Sequence, residues 1–192
     1  MNTDRTDERA SAEDVYFGQV VANWARWAII GAALLLVLWT STDTFRLMLG
    51  VLPIVGLMVV NFYLHGRYLA SRPANGMLIA IASAIDIALI TGLILLWTST
   101  SSPGGALFVL YFPALVAFAF IMRPRISIAF TACVLGIYAF AAVVSDPLIL
   151  SSMAAIETLV ARLITLAAVG ILAAYFWRIQ RLRRSDEQFE AA

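Results

Sequence analysis

The chain contains no lysine, one cysteine and one histidine, and each scarcity removes a class of function. Without lysine there is no Schiff-base anchor for a retinal pigment and no lysine nucleophile. The single cysteine, Cys133, excludes a disulfide within the chain, and the single histidine, His65, excludes a haem held between two histidines of the chain. No phosphate-binding loop, zinc motif or pair of catalytic carboxylates is present. The chain by itself is therefore not predicted to be an enzyme, and no cofactor or metal is predicted.

Charge is also scarce, and apolar residues dominate the composition. Of the 192 residues, 62% are hydrophobic and 13% are charged, and the formal net charge is +1. This is the composition of a membrane protein, in a length that suits one helical bundle. The absence of a basic excess argues against nucleic acid as a partner. We therefore predict an all-α membrane protein whose first partner is the lipid bilayer.

Six apolar stretches are candidates to cross a bilayer, because about 20 residues at 1.5 Å each cover roughly 30 Å of hydrocarbon. The predicted spans are 24–39, 45–64, 76–97, 107–122, 126–144 and 156–177. Together they form a predicted six-helix transmembrane domain over residues 24–177. A kink is expected at Pro113 in the fourth span, and a short surface segment is expected at 148–153 before the sixth.

The segments outside this domain are polar. Residues 1–10 are predicted to be a disordered tail, since they carry almost no apolar side chains. Residues 11–23 are predicted to form an amphipathic helix at the membrane surface, starting at a capping box of Ser11 and Asp14. Residues 178–192 continue the sixth helix as a cytoplasmic extension that resembles a signalling helix.

The arginines predict the direction of the spans. One side of the predicted bundle holds eight of the 13 basic residues, namely Arg67, Arg72, Arg123, Arg125, Arg178, Arg181, Arg183 and Arg184. The loops on the opposite side hold Arg46. The positive-inside rule then places both termini in the cytoplasm, which predicts a multi-pass protein of the bacterial cytoplasmic (inner) membrane.

The third span has two unlike faces. Ala80, Ala84, Ala88 and Gly92 recur every fourth residue and form a stripe of small residues of the kind that allows close helix packing. Asp86 lies near mid-span and points to the opposite face. Because lipid satisfies neither a carboxylate nor a packing stripe, the third span is predicted to be the centre of the bundle, contacted on both sides.

Asp86 is the first candidate for a functional residue. It is interpreted either as a sensing carboxyl, linked to a proton or a ligand, or as a structural carboxyl that bonds to a neighbouring helix. Arg162 is a candidate partner at the limit of an arginine's reach. The alternative, which the sequence favours, is that Arg162 extends outward to Glu157 or to lipid headgroups. His65, at the edge of the second span, is expected to be solvated.

The tail sequence RLRRSDEQFEAA closely resembles the connector that leads into PAS domains in bacterial sensor proteins. In that connector a basic helix is followed by a Ser-acidic-acidic-x-Phe segment. The matching positions here are Arg181, Arg184, Ser185 and Phe189. The resemblance implies that this helix passes a signal to a cytoplasmic domain or partner.

A second resemblance covers the third and fourth spans, DIALITGLILLW and SSPGGALFVLYFPALVAFAFIMRPR. They are similar to the N-terminal six-helix membrane sensor regions of bacterial histidine kinases, in which a Gly/Ser/Pro turn joins an Asp-bearing helix to an aromatic one. The outer turn here is Ser102, Pro103, Gly104 and Gly105. It lacks the Asn-Pro-Phe order that accompanies quinone in the redox-sensing kinases of this type.

Two classes of function therefore remain open. The first is a membrane input module of two-component type, which the resemblance further predicts to be a homodimer with a cytoplasmic signalling domain as partner. The second is a small-solute transporter subunit, or a structural subunit of a membrane complex. No kinase core is present in these 192 residues.

Overall fold

The computed structural model describes residues 3–40, 43–70, 76–97 and 107–190. They form six α-helices and two short 3-10 helices. The α-helices are α1 (Thr3–Thr40), α2 (Thr44–Leu69), α3 (Gly76–Trp97), α4 (Tyr111–Ile121), α5 (Pro124–Ser145) and α6 (Met153–Glu190). The 3-10 helices are Phe108–Leu110, before α4, and Pro147–Ser151, before α6. The prediction of an all-α protein is confirmed for the described part of the chain.

Five of the helices are long and apolar enough to cross a membrane. Their apolar sections are Val20–Trp39, Leu47–Arg67, Met77–Leu96, Pro124–Ser145 and Met153–Phe176. These sections lie within a few residues of five of the six predicted spans. Large apolar side chains such as Leu52, Phe140 and Leu172 are exposed on their outer faces, as expected for surfaces that meet lipid. The fold is therefore that of a multi-pass membrane protein.

The fourth predicted span is shorter than the others. Its 3-10 turn and α4 together cover 14 residues, Phe108–Ile121, or roughly 22 Å at 2.0 and 1.5 Å per residue. Pro113 is the third residue of α4, within the first turn, where its missing N–H costs little. The irregularity expected at Pro113 takes the form of a change from 3-10 helix to α-helix at Tyr111, two residues earlier. From there α4 continues without a break to Ile121.

Successive helices are antiparallel. Asn23, near the start of the apolar section of α1, bonds to His65 near the end of α2. Tyr138, in the second half of α5, bonds to Arg162, in the first half of α6. We call the end of the bundle where α1 enters and α6 leaves the terminal end, and the opposite end the distal end. Both chain extensions therefore project from the terminal end.

The centre of the bundle is α4, and the prediction that α3 occupies the centre is wrong. Helix α4 packs against α1, α3, α5 and α6, whereas α1, α2, α3 and α4 close a ring by pairwise contacts. On α3, Ala84 and Ala88 are exposed, so the small-residue stripe faces outward. In a span that is apolar on all sides, composition does not distinguish the lipid-facing side from the packed one, because lipid is as apolar as leucine.

The hydrophobic core follows this arrangement. It is formed mainly by α1, α3 and α4, with contributions from α2, α5 and α6. Its most deeply buried large side chains include Ile29, Ile54, Ile90, Leu93, Leu107, Leu110, Tyr111, Leu115, Val134 and Leu166. Leu115 and Tyr111 are on α4, which explains why so short a helix is held at the centre.

Helices α5 and α6 pack tightly against each other at Gly170. A Cβ atom at this position would lie 2.5 Å from Oγ1 and 2.6 Å from Cγ2 of Thr131. Thr131 is buried and its hydroxyl donates to the Ser127 carbonyl at 2.9 Å, so its side chain is fixed. The α5–α6 contact therefore requires glycine at 170.

The predicted tail and surface helix at the N-terminus are not separate segments. Helix α1 begins at Thr3 and runs without a break to Thr40, so residues 3–10 are helical and no helix starts at Ser11. Arg9 and Glu13 are spaced for an (i, i+4) pair, which favours helix in a polar sequence. At the other end, α6 continues past the membrane section to Glu190, as predicted for the extension. The surface segment expected at 148–153 is the 3-10 helix Pro147–Ser151.

Candidate functional site: a buried polar cluster

A buried ion pair joins α1 to α3. Nε of Arg26 donates to Oδ2 of Asp86 at 2.6 Å, and the two residues are only 6% and 3% exposed. Asp86 lies ten residues after Gly76, and Arg26 six residues after Val20, so their Cα atoms stand about 15 Å and 9 Å from the terminal ends of their spans. The length of the arginine side chain covers the difference. The pair crosses the ring of α1–α4 from one helix to the opposite one.

Ser83 extends the pair along α3. Nη2 of Arg26 donates to the Ser83 hydroxyl at 3.4 Å, and Ser83 is buried one turn below Asp86. The (i, i+3) spacing puts Ser83 and Asp86 on one face of α3, toward α1. This face is opposite the alanine stripe, which is why the polar side of α3 is inside and the small side is outside.

Helix α2 adds amide and imidazole groups at the same level. Asn61 is completely buried, six residues from Arg67 at the end of the α2 span. One turn closer to the terminal end, His65 shares a hydrogen bond with the side-chain amide of Asn23 on α1. His65 is thus held in a contact between helices and is not simply solvated as expected. The (i, i+4) spacing of Asn61 and His65 turns Asn61 toward the same interior.

Several polar atoms of this cluster have no hydrogen-bond partner among the described residues. They are Oδ1 of Asp86, both amide atoms of Asn61 and Oδ1 of Asn23. Leaving a buried polar atom unpaired costs about 1–3 kcal/mol, so a network satisfied only in part favours other arrangements of its members. We name Asn23, Arg26, Asn61, His65, Ser83 and Asp86 the polar cluster.

Arg26, the partner of Asp86, is not among the candidate residues that the sequence indicates. It lies in the second half of α1, close to the start of the apolar section Val20–Trp39 and between Trp24 and Trp27, where it resembles a residue at the membrane edge. Its Cα atom lies about 6 Å from the level of Asp86 along the bundle, and the ion pair with Asp86 shows it to be the partner. The proposed Asp86–Arg162 pair is therefore wrong.

Arg162 has a different environment, in the distal half of the bundle. Its Nη1 donates to the Tyr138 hydroxyl at 3.3 Å, and its Cζ lies 5.2 Å from the centroid of the Phe108 ring. The side chain is half-buried, so it does not extend outward to Glu157, which is exposed. The predicted contact of Arg162 with Glu157 is therefore wrong. The predicted contact with lipid headgroups stays a prediction. The favourable face of the Phe108 ring explains why the guanidinium turns inward.

Aromatic side chains fix Tyr138 in place. The rings of Tyr111 and Tyr138 pack edge to face with centroids 5.7 Å apart. The Tyr111 hydroxyl is 2.7 Å from Oγ1 of Thr91, which itself donates to the Ile87 carbonyl, so Tyr111 is the donor. Two hydrogen bonds and one ring contact thus link α3, α4, α5 and α6 in the distal half.

Other predicted residues lie partly or wholly outside the described part. The outer turn of Ser102, Pro103, Gly104 and Gly105 is outside the described residues. The side chains of the output helix at Arg181, Arg184, Ser185 and Phe189 are also outside them, although the backbone there is helical. Within the described residues no three His, Cys, Asp or Glu side chains are grouped to hold a metal ion.

Comparisons of the chain with family models, with curated proteins and with solved structures found no match.

Proposed function

We propose that the chain is a membrane input module. In this proposal six crossings place both termini in the cytoplasm of a bacterium, and the bundle resides in the inner membrane as a homodimer. A stimulus in or at the bilayer changes the packing around the polar cluster, and α6 transmits the change to a cytoplasmic signalling domain or partner. The arginine distribution and the two sequence resemblances support the orientation and the type of output.

The observation that carries the proposal is the incomplete satisfaction of a buried ion pair. Arg26 and Asp86 are removed from water, yet Oδ1 of Asp86 and the whole amide of Asn61 have no partner among the described residues. A switch needs two arrangements that differ by a few kcal/mol. Protonation of Asp86 would remove the charge that compensates Arg26, and a ligand that binds Asp86 would compete with Arg26 for it. In either case the cluster would have to rearrange.

The packing of the helices offers a route from the cluster to α6. Helix α1 carries Arg26 and packs along α4, and α4 in turn packs against α6. Helix α6 is a single helix from Met153 to Glu190, so a tilt or rotation within the membrane moves its extension as well. The extension beyond Phe176 measures about 21 Å at 1.5 Å per residue, which amplifies a small tilt.

Cysteine cross-linking of the output helix tests the proposal. The variant Cys133→Ser, Ser185→Cys would be oxidised in native membranes, with and without the substitution Asp86→Asn. We expect a disulfide-linked dimer whose yield changes in the Asp86→Asn background and not in the matched background Glu157→Gln. Absence of a dimer, or equal yields in all three backgrounds, would contradict the proposal. Reading the coding DNA past codon 192 tests separately whether a signalling domain follows.

A transporter subunit is the second candidate, and one observation favours it. The unpartnered oxygens of Asp86, Asn61 and Asn23 belong to helices of one ring, α1–α4, where they would suit a small solute that donates hydrogen bonds. Deleting residues after Arg178 separates the two functions. A transporter subunit would still bind its solute after this deletion, whereas an input module would lose its output.

A further inference from the structure

Arg162 is a charge within a membrane span that has no acidic partner in the described part of the chain. It lies nine residues after Met153, about 13 Å along the apolar section Met153–Phe176. The one ion pair found among the described residues is Arg26–Asp86. The Tyr138 hydroxyl and the Phe108 ring contact the guanidinium, and both are neutral. Charged residues at this depth are usually paired with an opposite charge. Arg162 has no such counter-charge among the described residues.

The nearest acids in sequence do not supply that charge. Glu157 precedes Arg162 by five residues, which places it about 140° around α6, and it is exposed. Asp146 is exposed at the end of α5, where its carboxylate accepts from the Leu148 amide at 3.1 Å. Asp86 is occupied by Arg26, toward the terminal end.

The surroundings of Arg162 form a built site. Phe108 covers one face of the guanidinium, and the buried Tyr138 hydroxyl holds a single N–H group. A guanidinium carries five N–H donors in a planar fork that matches the two oxygens of a carboxylate or phosphate. The side chain is only half-buried, so part of the fork remains accessible. Leu159 and Leu163, next to Arg162 along α6, are apolar and partly buried against the core.

From this geometry we propose that Arg162, backed by Phe108 and Tyr138, binds the carboxylate or phosphate head of an amphiphile that enters from the lipid in the distal half of the bundle. The apolar flank receives the hydrocarbon part of the ligand, and the guanidinium receives the anionic head in a bidentate contact. Because the site is on α6, occupancy acts on the output helix. This last consequence rests on the proposed function, whereas the binding itself does not.

Binding by the full-length chain in phosphatidylcholine nanodiscs tests the site. Three probes distinguish the sources of the anion: dioleoyl phosphatidylglycerol, oleate and inorganic phosphate. Bound lipid and oleate would be measured by native mass spectrometry, and phosphate by isothermal titration calorimetry. We expect phosphatidylglycerol or oleate to bind about tenfold more weakly to Arg162→Gln than to the wild type, which corresponds to about 1.4 kcal/mol. Inorganic phosphate is expected to bind to neither.

Two further variants separate binding from folding. Arg162→Lys keeps the charge but loses the fork, so it should bind about threefold more weakly than wild type. Arg125→Gln removes an exposed arginine at the terminal end and should bind as the wild type does. Equal binding by wild type, Arg162→Lys and a helical Arg162→Gln would overturn the proposal, and so would binding of inorganic phosphate alone.

The outcome is independent of the cross-linking test of the proposed function. If Arg162→Gln loses anion binding while Asp86→Asn leaves the cross-linking yield at Ser185→Cys unchanged, the anion site is retained and the relay is rejected. The opposite result, altered cross-linking in Asp86→Asn without anion binding at Arg162, would retain the relay and reject the site.

Discussion

At the scale of single residues, the main feature is the buried ion pair in which Arg26 compensates the charge of Asp86. Arg26 neutralises one carboxylate oxygen and leaves the other without a described partner. Removing two charges from water is expensive, and their attraction repays the cost only when all remaining polar atoms are satisfied. In this cluster some polar atoms have no described partner, so the pair contributes little to stability. Replacing only one of its members is nevertheless costly.

The costs of substituting the two members of the pair should therefore not be additive. Arg26→Gln and Asp86→Asn each leave a buried charge unpaired, and we expect each to lower the free energy of unfolding by about 3–5 kcal/mol. The double variant should lose less than the sum, with a coupling energy of about 1–3 kcal/mol. The measurement is SDS-induced unfolding in mixed micelles, followed by circular dichroism.

Glu157→Gln is the control for this cycle, because Glu157 is exposed and should change stability by no more than about 0.5 kcal/mol. Strict additivity of the two single substitutions would show that the carboxylate and the guanidinium do not interact as described.

The substitution Asn61→Leu should raise the free energy of unfolding. The substitution removes two buried amide atoms that lack a described partner, and we expect a gain of about 1–3 kcal/mol in the free energy of unfolding. Ser83→Ala is the matched control on the facing helix, since its hydroxyl accepts from Arg26 and its loss should destabilise. A destabilised Asn61→Leu variant would mean that the amide is paired in the native protein.

At the scale of elements, the sequence predicts where helices lie better than it predicts which faces meet. Hydrophobic length locates five spans within a few residues, because a bilayer demands a fixed number of apolar residues. It does not identify α4 as the central helix, since burial within protein and burial in lipid select the same side chains. The orientation of α3 could be predicted in part, because Asp86 must face inward even though the alanine stripe does not.

The candidate site was predictable to a similar extent. Asp86 stands out as an acid in a span, but its partner depends on the relative depth and rotation of α1, which no local pattern encodes. The inward turn of Arg162 depends on Phe108 and Tyr138, which come from two other helices. The single helix from Thr3 to Thr40 is not predicted by polarity, which indicates disorder at 1–10, although the charge spacing there is compatible with helix.

The α5–α6 contact yields a prediction at the same scale. Gly170→Ala places a Cβ atom against the fixed side chain of Thr131, and we expect a loss of about 1–3 kcal/mol in SDS unfolding. Gly136→Ala is the control on the exposed side of α5, where nothing lies within 4 Å of the added atom, so it should be neutral or stabilising by up to about 1 kcal/mol. The compensating variant Gly170→Ala, Thr131→Ala should recover most of the loss. No recovery would mean that the helices are not in contact at this point.

At the scale of the whole molecule, the bundle has two polar centres connected by an apolar core. The polar cluster lies toward the terminal end, and Arg162 with its aromatic neighbours lies toward the distal end. Among the described arginines, Arg46 and Arg162 are toward the distal end, which agrees with the proposed orientation. Helices α1 and α6 both extend beyond the membrane sections, so a change in their relative tilt is available to any partner that contacts both extensions.

The most direct test of the relay is the distance between these two extensions. Spin labels at Ser11→Cys and Ser185→Cys, in a Cys133→Ser background diluted with unlabelled protein, would be measured by double electron–electron resonance in nanodiscs. The account predicts that Asp86→Asn shifts the mean distance by at least about 2 Å, the scale of helix shifts in switching proteins, while Glu157→Gln leaves it unchanged. Superimposable distance distributions for the wild type and a fully helical Asp86→Asn variant would contradict it.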